Sequence, residues 1–325
     1  MKVAVYHNNN DIRLEERPVP EIGDGELLVK VMASGICGTD IMQWYRVKKG
    51  PRVLGHEIAG YVVTSNSDRF IKDDRVFVSH HVPCNSCKYC LSGNHTACDV
   101  LHAGNFEPGG FSEFIRAPKE NVDSGTYILP DHVTYEEGTM VEPLACVIRG
   151  QRIIDVQKDD TILVLGSGIS GLMNIALAKL KGARVIATDI DEYRLSKARE
   201  FGADEAINAG DNISLKADKV IVCTGAFSAI EQAFANIDKK GTILLFAVPK
   251  EDIKIPNVEV WRNELTITSS YGAAPVDLEG ALGIIKNKDI QVEKLISHRF
   301  SLKDIAQGFK IASEAKESLK VIVNP

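Results

Sequence analysis

Along residues 1–120, short apolar runs alternate with turn-forming breaks. KVAVY, ELLVKVMAS, IAGYVVTS, DRVFVSH and FSEFIRA are separated by segments such as PEIGDGE and KDDR. Runs of this length, punctuated by Gly, Pro and Asp, predict a succession of short strands and a barrel-like β unit. The texture changes near residue 135. TYEEGTMVEPLACVIRGQRI reads as helical turns, with Thr134 as N-cap and Glu137 three residues on to complete a capping box.

From residue 161 strands and helices alternate. TILVL predicts a buried strand, and SGLMNIALAKLKG a helix stopped by Gly182. RVIAT, the helix EYRLSKAREFG, KVIVC, the helix FSAIEQAFANI, GTILLFA and LTITSS follow. Alternating βα units with all-apolar strands imply a parallel sheet covered on both faces. The tail LISHRFSLKDIAQGFKIASEAKESLKVIVNP predicts strand, helix, strand, able to close either unit. The fold class expected is therefore α/β, with a doubly wound parallel sheet beside a β-rich domain.

Length supports that division, since 325 residues exceed the usual single-domain size. Composition adds exclusions. A net charge of −6, without long Lys/Arg runs, argues against nucleic acid as the main partner. The first residues, MKVAVYHNNNDIRLEE, lack the uninterrupted apolar stretch of a signal peptide. The most apolar window, residues 161–180, is long enough to span a bilayer, but three glycines, two serines and an Asn interrupt it. The reading is a cytoplasmic protein with no membrane partner.

That same window carries the first candidate chemistry. VLGSGISG places Gly166, Gly168 and Gly171 in G-x-G-x-x-G, with Ile169 and Ser170 between them, after a strand and opening a helix. Gly166 permits the tight turn, Gly168 lets a pyrophosphate approach the backbone, and Gly171 allows close helix–strand packing. The second strand ends in Asp189, where a carboxylate accepts hydrogen bonds from a ribose and repels a 2′-phosphate. NAD is the cofactor expected, although Arg194, five residues later, can reach the ribose or a phosphate. The competing reading is a glycine-rich turn in an unrelated α/β protein, with Asp189 capping the next helix.

Four of the seven cysteines, Cys84, Cys87, Cys90 and Cys98, fall within fifteen residues as C-x2-C-x2-C-x7-C. In a reducing compartment this reads as a metal knot rather than a disulfide staple. Four thiolates suit a closed, structural zinc site. The iron–sulfur run of ferredoxins has a three-residue last gap followed by Pro, which this chain lacks. A second set is scattered: Cys37 and Thr39 in GICGTD, His56 and Glu57 in LGHEIAG, and Glu142 in VEPLACV. A thiolate, an imidazole and a carboxylate are the mixed donors of an open, catalytic zinc. Taken singly, each has a bland reading as a core cysteine, a turn histidine or a helix-start charge.

Together, and in this order, GICGTD, LGHEIAG, the four-cysteine run, EPLACV and VLGSGISG resemble the zinc-dependent medium-chain alcohol dehydrogenase family. The Glu of EPL points to its polyol (sorbitol/iditol) and threonine dehydrogenase branch, and the resemblance covers essentially the whole chain. It implies a GroES-like catalytic domain over residues 1–146 and 290–325, with a zinc lobe at 80–100, and a Rossmann domain over 147–289. It implies that Cys37, His56 and either Glu57 or Glu142 hold a catalytic zinc, and that Thr39 takes the alcohol proton. Cys84, Cys87, Cys90 and Cys98 would hold a second, structural zinc. Cys223, Thr224 and Gly225 would lie at a strand end facing the nicotinamide, with Cys223 a wall residue and Cys146 a helix core residue.

The chain departs from the family pattern at Met42, where a proton-passing His is common, so the relay would run through the ribose hydroxyl and water. Gln43 stands where some polyol relatives carry Tyr. Arg299 in SHRF is a weak candidate for contacting polyol hydroxyls. The activity implied is reversible hydride transfer between a secondary alcohol (polyol, sugar, cyclitol or amino alcohol) and NAD, by a homodimer or homotetramer. The alternatives are an NADP-dependent reductase of the same fold and a non-catalytic zinc- or NAD-binding protein on a dehydrogenase scaffold.

Overall fold

The computed structural model describes residues 1–103, 106–211 and 213–325. Its contacts divide the chain into two compact units, Met1–Ala145 with Gly272–Pro325, and Cys146–Tyr271. The return to the first unit thus begins at Gly272 rather than at residue 290. The difference is the helix Pro275–Asn287, which the apolar pattern does not announce. Gly280 and Gly283 dilute its stripe of Leu278, Ala281 and Ile285, and Pro275 at its start with Asp277 bonding the Ala274 N–H sets its N-terminus instead.

The first unit is β-rich, as its alternating pattern predicts. Six strands of a seven-stranded sheet run in the order Ile296–Ser301, Lys320–Asn324, Leu27–Ile36, Glu57–Ser65, Arg75–Ser79 and Thr126–Ile128. The seventh, Phe114–Ala117, pairs with Leu27–Ile36. A small antiparallel sheet of Asp11–Glu16, Lys2–Asn8 and Arg52–Val53 completes the unit. Val29, Val31, Ile58, Val62, Val76 and Val78 form one core, and Tyr6, Phe111, Phe309 and Val321 anchor another. Each such side chain stabilises the fold by roughly 1.5–3 kcal/mol when fully buried. The capping box read at Thr134 is present, with Thr134 Oγ1 accepting from the Glu137 N–H and Glu137 accepting from the Thr134 N–H.

The second unit is a six-stranded, wholly parallel sheet. Its order is Glu205–Asn208, Arg184–Asp189, Thr161–Leu165, Ala217–Val222, Ile237–Leu245 and Thr266–Ser269. The order turns back at Thr161–Leu165, which defines a doubly wound sheet with its ligand crevice at the strand C-termini. Ile162 to Leu165 are fully buried, as a strand covered on both faces requires. The edge strand Glu205–Asn208 escapes the pattern because it is short and only half-buried. Among the described residues, no helix is long and apolar enough to cross a membrane.

Candidate metal centres and nucleotide site

The sheet of the first unit brings distant residues together by register. Leu27–Ile36 ends at the residue before Cys37, and Glu57–Ser65 starts at the residue after His56. Gly35 pairs with Glu57 in one ladder, and Ile36 pairs with Val321 in the next. Glu57 also pairs with Ser79, so His80 leaves the end of a fourth neighbouring strand. Cys37, His56, Glu57, His80 and Lys320 therefore share one edge of the sheet. One donor atom each from Cys37, His56 and Glu57 lies within 4.8 Å of the others. Donors around a tetrahedral zinc sit about 3.6 Å apart, so this trio can take the ion with small adjustments.

The surroundings orient each donor. Asp40, wholly buried, lies 3.4 Å from His56 Nδ1 and accepts the Cys37 N–H at 3.1 Å. That carboxylate fixes the ring and leaves the other nitrogen for the Cys37 side, the arrangement by which metal-binding histidines are aligned. Burial opposes a charge on His56, yet Asp40 and the Cys37 sulfur outweigh it and hold its pKa well above the usual value. Burial likewise opposes the Asp40 charge, and His56, Arg46 and the Cys37 N–H overcome it, holding its pKa low. Asp40 and the Cys37 sulfur thus flank the His56 ring with groups that suit a cation. Burial with the neighbouring His81 pushes His80 well below the usual range, so it is neutral at pH 7.

Thr39 Oγ1 stands 3.5 Å from Cys37 Sγ. Arg46, at the end of the short helix Gln43–Arg46, donates to the Thr39 carbonyl at 2.9 Å and to Thr39 Oγ1 at 3.1 Å. It also reaches Asp40 at 3.2 Å. Glu57 is completely buried, and both its oxygens accept from Lys320 Nζ, at 2.9 and 2.6 Å. A Cβ at Gly35 would run into the Glu57 carboxylate, so glycine there makes room for it. Of the two glutamates read as alternatives, Glu57 groups with Cys37 and His56. Glu142, in the first turn of Val141–Ile153, bears electrostatically on Lys320 instead.

The cysteine run forms its own knot around the short helix Lys88–Leu91. None of the seven cysteines is in a disulfide. The sulfurs of Cys84, Cys87, Cys90 and Cys98 all lie within 4.8 Å of one another. Separations of 4.0 Å for Cys84–Cys90, 3.5 Å for Cys87–Cys90 and 3.6 Å for Cys98–Cys84 are far beyond a disulfide. They bracket the roughly 3.8 Å between sulfurs of a tetrahedral zinc at 2.3 Å per bond. The Cys87 N–H and Ser86 hydroxyl donate to Cys84 Sγ, and with the Ser86 bonds leading they draw that thiol down to about 6. Burial pushes Cys90 up to about 12, so a cation is what would draw its proton off.

In the second unit, Gly166 adopts φ 93°, reserved in practice for glycine. A Cβ at Gly171 would run into the Gly166 carbonyl, while none within 4 Å would be met at Gly168. The three glycines thus do three different things, and the open side is the start of the helix Ile169–Leu180, which carries Ser170 in its first turn. Asp189 accepts the Ser167 N–H at 2.8 Å and the Asp191 N–H at 3.1 Å, and Arg194 stands 3.8 Å away. The next helix, Glu192–Glu200, is capped by Asp191, so Asp189 is not its cap. Cys223 follows the strand Ala217–Val222, takes a hydrogen bond from Asn174 at 3.6 Å, and is pushed by burial up to about 12. Beside it, Thr224 Oγ1 accepts the Ala226 N–H, and Gly225 faces the Val248–Pro249 backbone.

Arg299 is held in a two-oxygen ion pair with Glu136, at 2.7 to 2.9 Å. Met42 opens the short helix and Gln43 bonds the Asn9 N–H. Cys146 lies half-buried on Val141–Ile153. Sequence reasoning missed Asp40, Arg46, His80 and Lys320. Asp40 was inside the quoted GICGTD, where an acid beside a ligand motif is a usable signal. Lys320 had one too, as a lone charge heading an apolar strand.

The folds and sites define a zinc-binding dehydrogenase, and comparison with known proteins agrees. Residues 23–125 match the alcohol dehydrogenase GroES-like domain, and residues 170–287 match the zinc-binding dehydrogenase model. The chain belongs to the zinc-dependent medium-chain alcohol dehydrogenase family and is an oxidoreductase of that kind. It is 32% identical to sorbitol dehydrogenase of Bacillus subtilis (strain 168), over 100% of this chain and 97% of the relative. A solved protein of Sinorhizobium meliloti 1021, described as a zinc-binding dehydrogenase and bound to NADP, is 28% identical with a TM-score of 0.88, covering 100% and 99% of the two chains. A solved alcohol dehydrogenase of Escherichia coli CFT073, complexed with NADH, is 26% identical with a TM-score of 0.88 over the same shares.

Proposed function

We propose that the protein catalyses reversible, NAD-linked oxidation of the secondary carbinol of a polyol or a closely related compound. The observation that carries this reading is the convergence of Cys37, His56 and Glu57 donors, backed by Asp40 and flanked by the Thr39 hydroxyl. When bound, zinc supplies Lewis acidity to the alcohol oxygen and the nicotinamide supplies the hydride acceptor. Cys37, His56 and Glu57 would hold the metal, and Asp40 keeps the His56 ring in its binding tautomer. Thr39 Oγ1 receives the alcohol proton at hydrogen-bond range. Arg46 occupies one lone pair of that oxygen and ties it to the Asp40 loop, leaving the other lone pair for substrate. Met42 cannot titrate, so the proton leaves Thr39 through hydroxyl groups and water rather than through a side chain at that position.

NAD is favoured over NADP by the Asp189 carboxylate, whose charge opposes a 2′-phosphate. Arg194 beside it is the counterweight. The substrate class follows from the sorbitol dehydrogenase relatives together with the carboxylate in the donor trio. The test is a cofactor-reduction screen on metal-verified protein, with NAD and NADP separately, over polyols, cyclitols, amino alcohols and simple alcohols. Reduction of NAD by polyols is expected, with Asp189→Gly eroding the preference for NAD. Turnover only with NADP, or with none of the panel, contradicts the reading.

A further inference from the structure

Lys320 heads the strand Lys320–Asn324, whose next three residues, Val321, Ile322 and Val323, are fully buried and apolar. The lysine itself is 1% exposed. Its Nζ donates to both Glu57 oxygens, at 2.9 and 2.6 Å, and to the Ile36 carbonyl at 3.3 Å, the residue before Cys37. Glu142 and Cys37 act on the same ammonium. An apolar side chain would continue the strand's pattern, and buried ion pairs as a rule add little stability over well-packed apolar residues. Packing therefore does not explain this charge. Its placement does, because the carboxylate it grips is the oxygen donor of the candidate metal trio.

We propose that Lys320 is a positioning residue of the metal centre that shares the Glu57 carboxylate with the metal. Before metal arrives, the ammonium holds the Glu57 carboxylate in place beside Cys37 and His56. Once metal is held, the same ammonium draws electron density from that carboxylate and weakens the metal's hold on it. The charge balance follows. One thiolate and one carboxylate match the charge of a divalent ion, while around them Arg46 offsets Asp40 and Lys320 faces Glu142 as well as Glu57.

This inference rests on the zinc reading of the Cys37 site, and its sign separates it from a merely structural role. Metal-free protein is first loaded at the cysteine lobe. The second site is then titrated with Zn²⁺ against a chelator, and with Co²⁺ read by its thiolate absorption. Removing a unit charge this close to a divalent ion is expected to tighten binding at least about 10-fold in Lys320→Met. Lys320→Arg keeps the charge and is expected to stay within about threefold of wild type. Lys320→Gln, which retains a donor without the charge, is read the same way as the Met variant and covers a Met variant that does not fold. Metal binding that is unchanged or weaker in the folded uncharged variants overturns the inference alone. A wild-type chain that takes up metal only at the cysteine lobe overturns the zinc reading with it.

Discussion

The two candidate metal centres belong to the same unit and are built by opposite means. The cysteine knot draws its four donors from fifteen consecutive residues, and short helical turns fold them onto one point. The Cys37 centre draws its donors from the ends of separate strands, and its nearest charged neighbour comes from the C-terminal strand, 263 residues from Glu57. The first surrounds its point with sulfur alone, which leaves no room for substrate. The second offers one sulfur, one ring nitrogen and one oxygen, set among Asp40, Arg46 and Lys320, and leaves a position open. Closure and identical donors suit a staple for a loop. Mixed donors, each oriented by a partner, suit chemistry. The centres are also neighbours, since the His80 ring lies between His56 and His81 and His81 Nδ1 meets the Leu101 carbonyl of the cysteine lobe.

The comparison can be broken from either side. The largest effect is expected from Cys37→Ser or His56→Ala, which should reduce turnover by at least ~10³-fold while the cysteine knot keeps its metal. Dinucleotide binding, followed by NADH fluorescence, should survive, since the glycine motif belongs to the other unit. Cys98→Ser should do the converse. It should empty the knot and lower stability by several kcal/mol, seen as a fall in Tm, while metal remains at the Cys37 site.

Gly35→Ala sharpens the contrast with a smaller change. Its new Cβ must displace the Glu57 carboxylate, so metal affinity at the Cys37 centre should fall about 10- to 100-fold, with the knot unaffected. Equal loss of metal from both sites would show that the substitution simply unfolds the unit.

How much of this was legible in the sequence depends on distance along the chain. The capping box at Thr134 and Glu137 and the glycine motif at Gly166 are local patterns, and local patterns read directly. The grouping of Glu57, rather than Glu142, with Cys37 and His56 was not legible, because it follows from the pairing of Gly35 with Glu57 and sheet register is not written in any one segment. Lys320 lay further still from its partner. The helix Pro275–Asn287 was lost for a different reason, its two glycines thinning the apolar stripe. Arg299 read as a weak candidate for contacting polyol hydroxyls, and its ion pair with Glu136, on a helix 163 residues earlier, was not legible.

Two changes remote from both centres set the baseline. Glu26 takes two hydrogen bonds from Arg116 and one from the Gly23 N–H, and the Arg116 bonds hold its pKa below the ordinary 4.5. A carboxylate depressed in the folded state stabilises fully above its unfolded value and loses that contribution as pH falls through its folded value. Glu26→Gln should therefore cost about 1 kcal/mol at pH 7 and progressively less as the solution is acidified below pH 4.5, in paired melting curves. Thr134→Ala should cost a similar ~1 kcal/mol through the lost cap, without pH dependence near neutrality and without a change in metal content.

The measurement that bears most directly on the central claim is an anomalous difference map at the zinc edge from crystals of the zinc-loaded protein. The account predicts one peak enclosed by the sulfurs of Cys84, Cys87, Cys90 and Cys98, and a second bounded by Cys37, His56 and Glu57. A single peak at the cysteine knot, with Glu57 still bound only to Lys320, would contradict it.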